Sequence, residues 1–144
     1  MAATTTIPIV FGSGGDPVDT GLVTSLNRPG GNATGATFLT ALLGAKRLGL
    51  LRDLIPGADV VALLVNPNTS VGRLQTRDVQ EAARALGQSL VVLNGGSDES
   101  IEASFATLTQ KRVAALLVGG DPFFDTRRDR LIALALQYRV PAIY

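Results

Sequence analysis

Short apolar runs alternate with helix-like patterns along almost the whole chain, and this alternation limits the fold more than any other feature. The apolar runs lie at 7–11, 33–38, 60–65, 90–93, 114–118 and 141–144. The first of them, and the third to the fifth, are followed by Gly or Asn, which are typical of turns. Alternating β and α elements predict parallel strands joined by right-handed crossovers.

Helical spacing of apolar residues fills most of the sequence between these runs. We predict helices at 16–26 (begun by Asp16 or Asp19), 40–55 (Thr40), 70–86 (Ser70), 99–112 (preceded by Ser97) and 126–138. In the fourth helix the spacing places Ile101, Phe105 and Leu108 on the inner face. The chain has 144 residues, which corresponds to about one domain.

The composition favours a sheet that is buried on both faces. Hydrophobic residues make up 46% of the chain, whereas charged residues make up 17% and aromatic residues only 5%. A parallel sheet covered by helices on both sides can bury this many aliphatic side chains. We therefore predict an α/β fold, namely a three-layer α/β/α sandwich with a mainly parallel, flavodoxin-like sheet.

Several function classes are excluded by what the sequence lacks. It contains no Cys and no His, which removes thiol chemistry, disulfides, Cys/His metal sites and Ser–His dyads. The net charge of +1 is not typical of a nucleic-acid-binding protein. Arginines 127, 128 and 130 interleave with Asp125 and Asp129, which predicts a solvated helix face with local ion pairs. No cofactor, metal site or catalytic residue is predicted, and we expect a protein that is not an enzyme.

The loop "GSGGDPV" at 12–18 follows the first apolar run and resembles a phosphate-binding loop only in part. Gly12 and Gly14 fit a dinucleotide fingerprint, but Pro17 stands where its third glycine belongs, and the loop has no lysine. The loop offers backbone N–H groups and the carboxylate of Asp16. Asp16 either faces a ligand's ammonium or hydroxyl group, or simply starts a helix.

Two further loops follow the third and fifth runs, where ligands bind in parallel sheets. Asn66, in "LVNPNTS", offers a donor and an acceptor to a polar ligand, but Asn also suits turns. Asp121 repeats the Gly-Gly-Asp-Pro corner of the first loop. Phe123 and Phe124 follow directly, either as a stacking platform for a planar ligand or as a seal between helix and sheet.

The combination of these loops resembles a known family. "GDPV" at 15–18, "RPGGNATG" at 28–35, "LVNP" at 64–67 and "GGDPFF" at 119–124 are similar to motifs of ABC-importer solute-binding proteins of the tryptophan/tyrosine type. The resemblance covers essentially all 144 residues. It implies a type I periplasmic-binding-protein architecture, with two α/β lobes and a ligand in the cleft between them.

The resemblance also implies a division of this chain and a set of binding residues. Residues 1–39 correspond to the end of lobe one and a crossover, and 40–144 to most of lobe two. The loop of Asp16 forms one wall of the cleft, and the loops of Asn66, Asp121 and Phe123 belong to the facing lobe. Full-length members are longer, so we expect an internal segment whose first two strands fill or extend the sheet of the isolated lobe.

The functional expectation is therefore a solute-binding lobe for an amino acid or similar small solute, weak or inactive by itself. Its partners would be the solute, an ABC permease and, through an exposed sheet edge or lobe surface, a second copy. Full-length members are periplasmic or otherwise extracytoplasmic. The start "MAATTT" lacks a secretion signal, so the chain as given would be cytoplasmic, without membrane insertion. The alternatives are a stand-alone or engineered flavodoxin-like scaffold without ligand, and a small α/β enzyme or nucleotide-binding module.

Overall fold

A computed structural model describes residues 4–144, apart from the side chain of Ala41. Its strands are β1 (Ile9–Ser13), β2 (Ala33–Thr37), β3 (Val60–Val65), β4 (Ser89–Asn94), β5 (Ala115–Val118) and β6 (Ala142–Ile143). Its α-helices are α1 (Gly44–Leu54), α2 (Ser70–Ala85), α3 (Asp98–Gln110), α4 (Pro122–Asp125) and α5 (Arg128–Gln137), and a 3₁₀ helix spans Thr40–Leu43.

Strands β3 to β6 form one parallel sheet, as the alternation of elements predicts. The strand order is β4-β3-β5-β6, and every neighbouring pair is parallel. The chain therefore runs outward from β3 to β4 and then crosses back to β5. This is the flavodoxin-like order, in which ligands bind beyond the carboxyl ends of the two strands where the winding reverses. In this sheet those strands are β3 and β5.

Helices cover both faces of this sheet, which confirms the three-layer α/β/α sandwich. One face of β3, with Val61 and Leu63, packs against α1 and α2. The other face, with Ala62 and Leu64, packs against α3, α4 and α5. Because both faces are covered, β3 carries an unbroken apolar sequence rather than the alternation of a half-exposed strand.

The first two strands do not fill or extend this sheet, so that expectation was wrong. Strands β1 and β2 pair with each other in a separate two-stranded parallel sheet, in register from Ile9 with Ala33 to Ser13 with Thr37. Six of their ten residues are exposed, including Val10. The four-stranded sheet has its core filled by its own helices, so its packing does not require these strands.

The predicted helix at 16–26 is also absent. The chain makes one tight turn instead, in which the N–H of Thr20 and the N–H of Leu22 donate to the carbonyls of Asp16 and Pro17. Gly21 then adopts a left-handed backbone with φ of 70°. Left-handed glycine commonly ends a helix, and here it ends the segment after a single turn.

Three other predicted helix boundaries shift. The start at Thr40 is a 3₁₀ helix that leads into α1, and α2 is capped by Thr69 rather than Ser70. The last predicted helix, 126–138, is α5 and begins at Arg128, and a separate short helix that was not predicted, α4, precedes it. The prediction for α3 is confirmed, because Ser97 caps it and exchanges hydrogen bonds with Ser100.

The arginine cluster forms ion pairs, but with partners distant in sequence rather than local ones. Arg127 binds Asp98 at the start of α3, and Arg130 binds Asp98 at 3.2 Å and Glu102 at 2.6 Å. The hydrogen bond and charge of Arg127, together with the charge of Arg130, lower the pKa of Asp98. The network therefore connects α3 to α5.

This lowered pKa predicts an acid-dependent loss of stability. A carboxylate whose folded-state pKa is depressed stabilises the fold above its unfolded-state value, about 3.9 for Asp, and ceases to do so as the pH falls through the folded-state value. Wild type should therefore melt at a higher temperature than Asp98→Asn at neutral pH, and the difference should disappear in strong acid. Thermal unfolding by circular dichroism across the acid range measures this. Asp59→Asn, which removes a turn carboxylate with no arginine within 4 Å in residues 4–144, is the control.

Candidate functional site

A cavity of about 530 Å³ lies beyond the carboxyl ends of β1, β5 and β6. One wall is the loop after β1, at Gly12, Ser13 and Gly14, and the other is the loop after β5, from Gly119 to Pro122. The remaining lining side chains include Phe38, Thr40, Arg47, Val71, Phe124, Asp125, Arg128 and Tyr144. The cavity therefore lies at the carboxyl edge of the four-stranded sheet, beyond β5 and β6 rather than between β3 and β5.

Asp121 is the predicted site residue that the structure places in this cavity. Its side chain is only 5% exposed, and its Oδ1 accepts a hydrogen bond of 2.9 Å from the N–H of Phe123. The hydroxyl of Thr69 donates to its Oδ2 at 3.0 Å. Within residues 4–144 no Lys or Arg nitrogen lies within 4 Å of this carboxylate. Buried carboxylates are normally paired with a cation, so this one is suited to a ligand that brings its own.

The glycines beside Asp121 are held by a residue that the sequence pattern did not reveal. Gln75 is buried on the inner face of α2, and its Nε2 donates to the carbonyl of Gly120 at 3.0 Å. A polar side chain on an otherwise apolar helix face was the available signal. Its contact fixes the backbone that forms this wall of the cavity.

Asp16 has the same local geometry as Asp121 but does not line the cavity. Its Oδ1 accepts a hydrogen bond of 2.8 Å from the N–H of Val18, just as Asp121 accepts one from the residue two positions on. The two Gly-Asp-Pro corners are therefore alike in this contact. At the first corner the glycines form the wall, and a Cβ on Gly14 would lie 2.8 Å from the hydroxyl oxygen of Thr40.

Asn66 is buried after β3, outside the lining of the cavity. Its Oδ1 accepts a hydrogen bond of 3.1 Å from the N–H of Asn68, which is the turn geometry that sequence reasoning kept as an alternative. Its backbone carbonyl accepts from the N–H of Thr69. Asn66 therefore shapes the loop that leads to Thr69 and, through the Thr69 hydroxyl, to Asp121.

The two adjacent phenylalanines have different environments. Phe124, a residue of α4, is buried in the core and also lines the cavity. Phe123 lies outside the lining, and its ring packs edge-on against Phe124 with centroids 5.7 Å apart. The guanidinium of Arg127 covers the Phe123 ring at 3.7 Å from its centroid. Phe124 therefore seals helix to sheet, and Phe123 carries a stacked cation.

Phe38, Arg47, Arg128 and Tyr144 line the cavity, yet sequence reasoning did not single them out as site residues. Phe38 and Tyr144 end apolar runs, so the carboxyl-end rule could have found them. The Phe38 side chain is 74% exposed. Partial burial raises the pKa of the Tyr144 phenol, so this hydroxyl is neutral and able to donate a hydrogen bond at pH 7. For Arg47 the available signal was a cation among leucines at helical spacing, which sequence reasoning did not use.

The lining combines both signs of charge with aromatic surface. Asp121 and Asp125 supply carboxylates, Arg47 and Arg128 supply guanidinium groups, and Phe38 supplies an exposed ring. This set complements a small zwitterion with an apolar or aromatic side chain. In the part of the chain that the structure describes, no cluster of acidic side chains could hold a metal ion, and no helix is long and apolar enough to cross a membrane.

Comparison with known proteins matches the whole chain. The family model described as ABC transporter substrate binding protein matches residues 1–144. A tyrosine-binding protein of Clostridioides difficile (strain R20291) is 26% identical over 141 residues, which is 98% of this chain and 40% of that protein.

Two solved structures share the fold over 97% of this chain. A conserved domain protein of Vibrio cholerae has a TM-score of 0.84 at 24% identity, with 46% of its chain covered. An ABC domain from Streptococcus pneumonia in complex with L-Trp has a TM-score of 0.79 at 22% identity, with 48% covered. The chain thus spans less than half the length of the relatives that it matches.

Proposed function

The chain belongs to the family of ABC transporter substrate binding proteins, and from this premise we propose that it forms a solute-binding lobe for an aromatic amino acid. The family consists of binding proteins rather than enzymes, as expected from the sequence. Residues 1–39 would be the end of one lobe and the crossover, and residues 40–144 most of the other. The separation of the β1–β2 sheet from the four-stranded sheet supports this division.

The observation that carries the proposal is the buried carboxylate of Asp121, which has no Lys or Arg nitrogen within 4 Å among residues 4–144, in a cavity with exposed aromatic surface. A volume of about 530 Å³ lies within the range of about 300–1,000 Å³ typical of small-molecule sites. The ammonium of an amino acid would pair with Asp121, and its ring would pack on Phe38. Tyrosine and tryptophan binding in the named relatives agrees with this choice of ligand.

The other predicted site residues take supporting roles in the proposal. Asp16 and Asn66 would fix the loops on either side of the ligand, and Phe123 with Arg127 would support the α4 corner that presents Asp121. The solute would be delivered to an ABC permease outside the cytoplasm. The exposed β1–β2 sheet also offers a surface on which a second copy could pair.

Titration of ¹⁵N-labelled protein with L-Trp, L-Tyr, L-Phe and L-Leu by NMR tests the proposal. We expect saturable shifts at Gly119, Gly120 and Phe38 with the aromatic amino acids, at an affinity weaker than micromolar because the two described walls leave much of the ligand exposed. Sub-micromolar affinity would contradict the weak binding proposed for this chain. Absence of saturable shifts would favour the ligand-free scaffold.

Asp121→Asn should weaken aromatic amino-acid binding by about tenfold or more, because a hydrogen bond to a charged group contributes about 1.5–3 kcal/mol. The amide still accepts from the N–H of Phe123 and can donate to the Thr69 hydroxyl, so the fold should persist. Asp125→Asn, an exposed carboxylate on the same cavity, is the matched control and should have the smaller effect. Equal losses in the two variants would argue against Asp121 as the ammonium partner.

A further inference from the structure

Arg47 has an unusual environment for an arginine of this chain. Its side chain is half-buried, and it lines the cavity with Thr40, Gly119 and Gly120. Among the residues that the structure describes, no carboxylate oxygen lies within 4 Å of its guanidinium, and no side-chain or backbone acceptor bonds to it. Arg127, which is also half-buried, has in contrast a carboxylate, a carbonyl and an aromatic ring as partners.

The helix around Arg47 makes the absence of partners more informative. Leu50 and Leu54 lie at positions +3 and +7 from it, on the same face of α1, and both are exposed. These leucines give the guanidinium apolar neighbours but no hydrogen-bond acceptor. Partial removal of a cation from water is unfavourable unless hydrogen-bond acceptors replace the water. An anionic ligand in the cavity would supply those acceptors.

We propose that the Arg47 guanidinium binds the carboxylate of the amino-acid ligand, and so selects amino acids over amines of the same side chain. This rests on the proposed function, in which Asp121 takes the ammonium group. A guanidinium presents a planar fork of N–H donors that matches a carboxylate with two parallel hydrogen bonds. Arg128, exposed at the same cavity, adds positive potential without the partial burial that strengthens such a pair.

Three ligands that share an indole ring test the roles of the ammonium and carboxylate groups separately. L-tryptophan carries both, tryptamine lacks the carboxylate, and indole-3-propionate lacks the ammonium. Wild type should bind L-tryptophan about tenfold or more tightly than tryptamine. In Arg47→Gln, affinity for L-tryptophan and indole-3-propionate should fall by a similar factor, while affinity for tryptamine stays unchanged. NMR titration at millimolar ligand measures all three.

Two further variants keep the test decisive. Lys46→Gln removes the neighbouring exposed cation, which does not line the cavity, and should leave all three affinities unchanged. Arg47→Lys keeps the charge but not the fork, so it should lose part of the affinity, only for ligands with a carboxylate. It also provides the test if Arg47→Gln does not fold.

The outcomes distinguish this inference from the proposed function. If L-tryptophan, L-tyrosine and L-phenylalanine give no saturable shifts in wild type, both are overturned. If L-tryptophan binds and Arg47→Gln leaves the ratio of L-tryptophan to tryptamine affinity unchanged, only the role of Arg47 is overturned. An equal loss for all three ligands would likewise overturn it, because it would show a structural role.

Discussion

Phe105→Ala is expected to lower the free energy of unfolding by about 3–5 kcal/mol, the usual loss for a buried phenylalanine. Phe105 lies on α3 with only 1% of its surface exposed, and its ring centroid is 5.8 Å from that of Tyr138. The truncation removes apolar contacts and leaves a cavity between α3, α5 and the sheet. Since domains are stable by about 5–15 kcal/mol, this is a large fraction of the total.

Urea unfolding followed by circular dichroism measures this change as a lower midpoint at unchanged slope. Phe38→Ala is the matched control, because the Phe38 side chain is 74% exposed and its loss should change stability by less than about 0.5 kcal/mol. The same control variant should weaken binding of aromatic amino acids. Similar stability losses in both variants would contradict the assignment of Phe105 to the core.

Gly72→Ala is expected to cost about 1–3 kcal/mol, in spite of the better helix propensity of alanine. Gly72 lies in the first turn of α2, and a Cβ there would lie 2.8 Å from the carbonyl carbon of Asn66 and closer still to its oxygen. The backbone of the 66–69 loop would have to move. Since Thr69 in that loop donates to Asp121, the variant should also weaken ligand binding.

Gly49→Ala provides the comparison within the same chain. Gly49 lies inside α1, and a Cβ there would meet no atom within 4 Å in the part of the chain that the structure describes. The substitution should therefore stabilise the fold by about 0.5–1 kcal/mol, the difference between glycine and alanine inside a helix. Thermal unfolding of the two variants should shift in opposite directions, and a shift in the same direction would refute the clash at Gly72.

Local sequence patterns predicted those parts of the fold that form in the same way whichever element packs against them. The unbroken apolar sequence of β3 indicated a strand covered on both faces, and the spacing of Ile101 and Phe105 indicated the inner face of α3. In both cases burial of apolar surface is required whichever partner provides it. The same holds for the Ser97 cap, because its partner lies three residues away.

Patterns failed where the result depended on a choice between distant partners. The run that contains β1 has the apolar character of a core strand, but among the described strands it pairs with β2 and not with the four-stranded sheet. Arg127 had acidic neighbours in sequence, but its partner is Asp98, on another helix. Local propensity cannot rank such partners, because the outcome depends on which elements the chain topology brings together.

The candidate site shows the same division. The carboxyl-end rule identified Asp121 from sequence, because the loops that follow the strands of a parallel sheet all lie at the same edge of the sheet. Arg47 is the fourth residue of α1, and only the packing of α1 beside the loop after β5 brings it to that edge. The sequence by itself thus determined the layers and the edge at which a ligand would bind, since these follow from periodicity and burial. Only the tertiary structure decided which charges face the cavity, because the position of a helix side chain relative to a distant loop depends on packing and not on its neighbours in sequence.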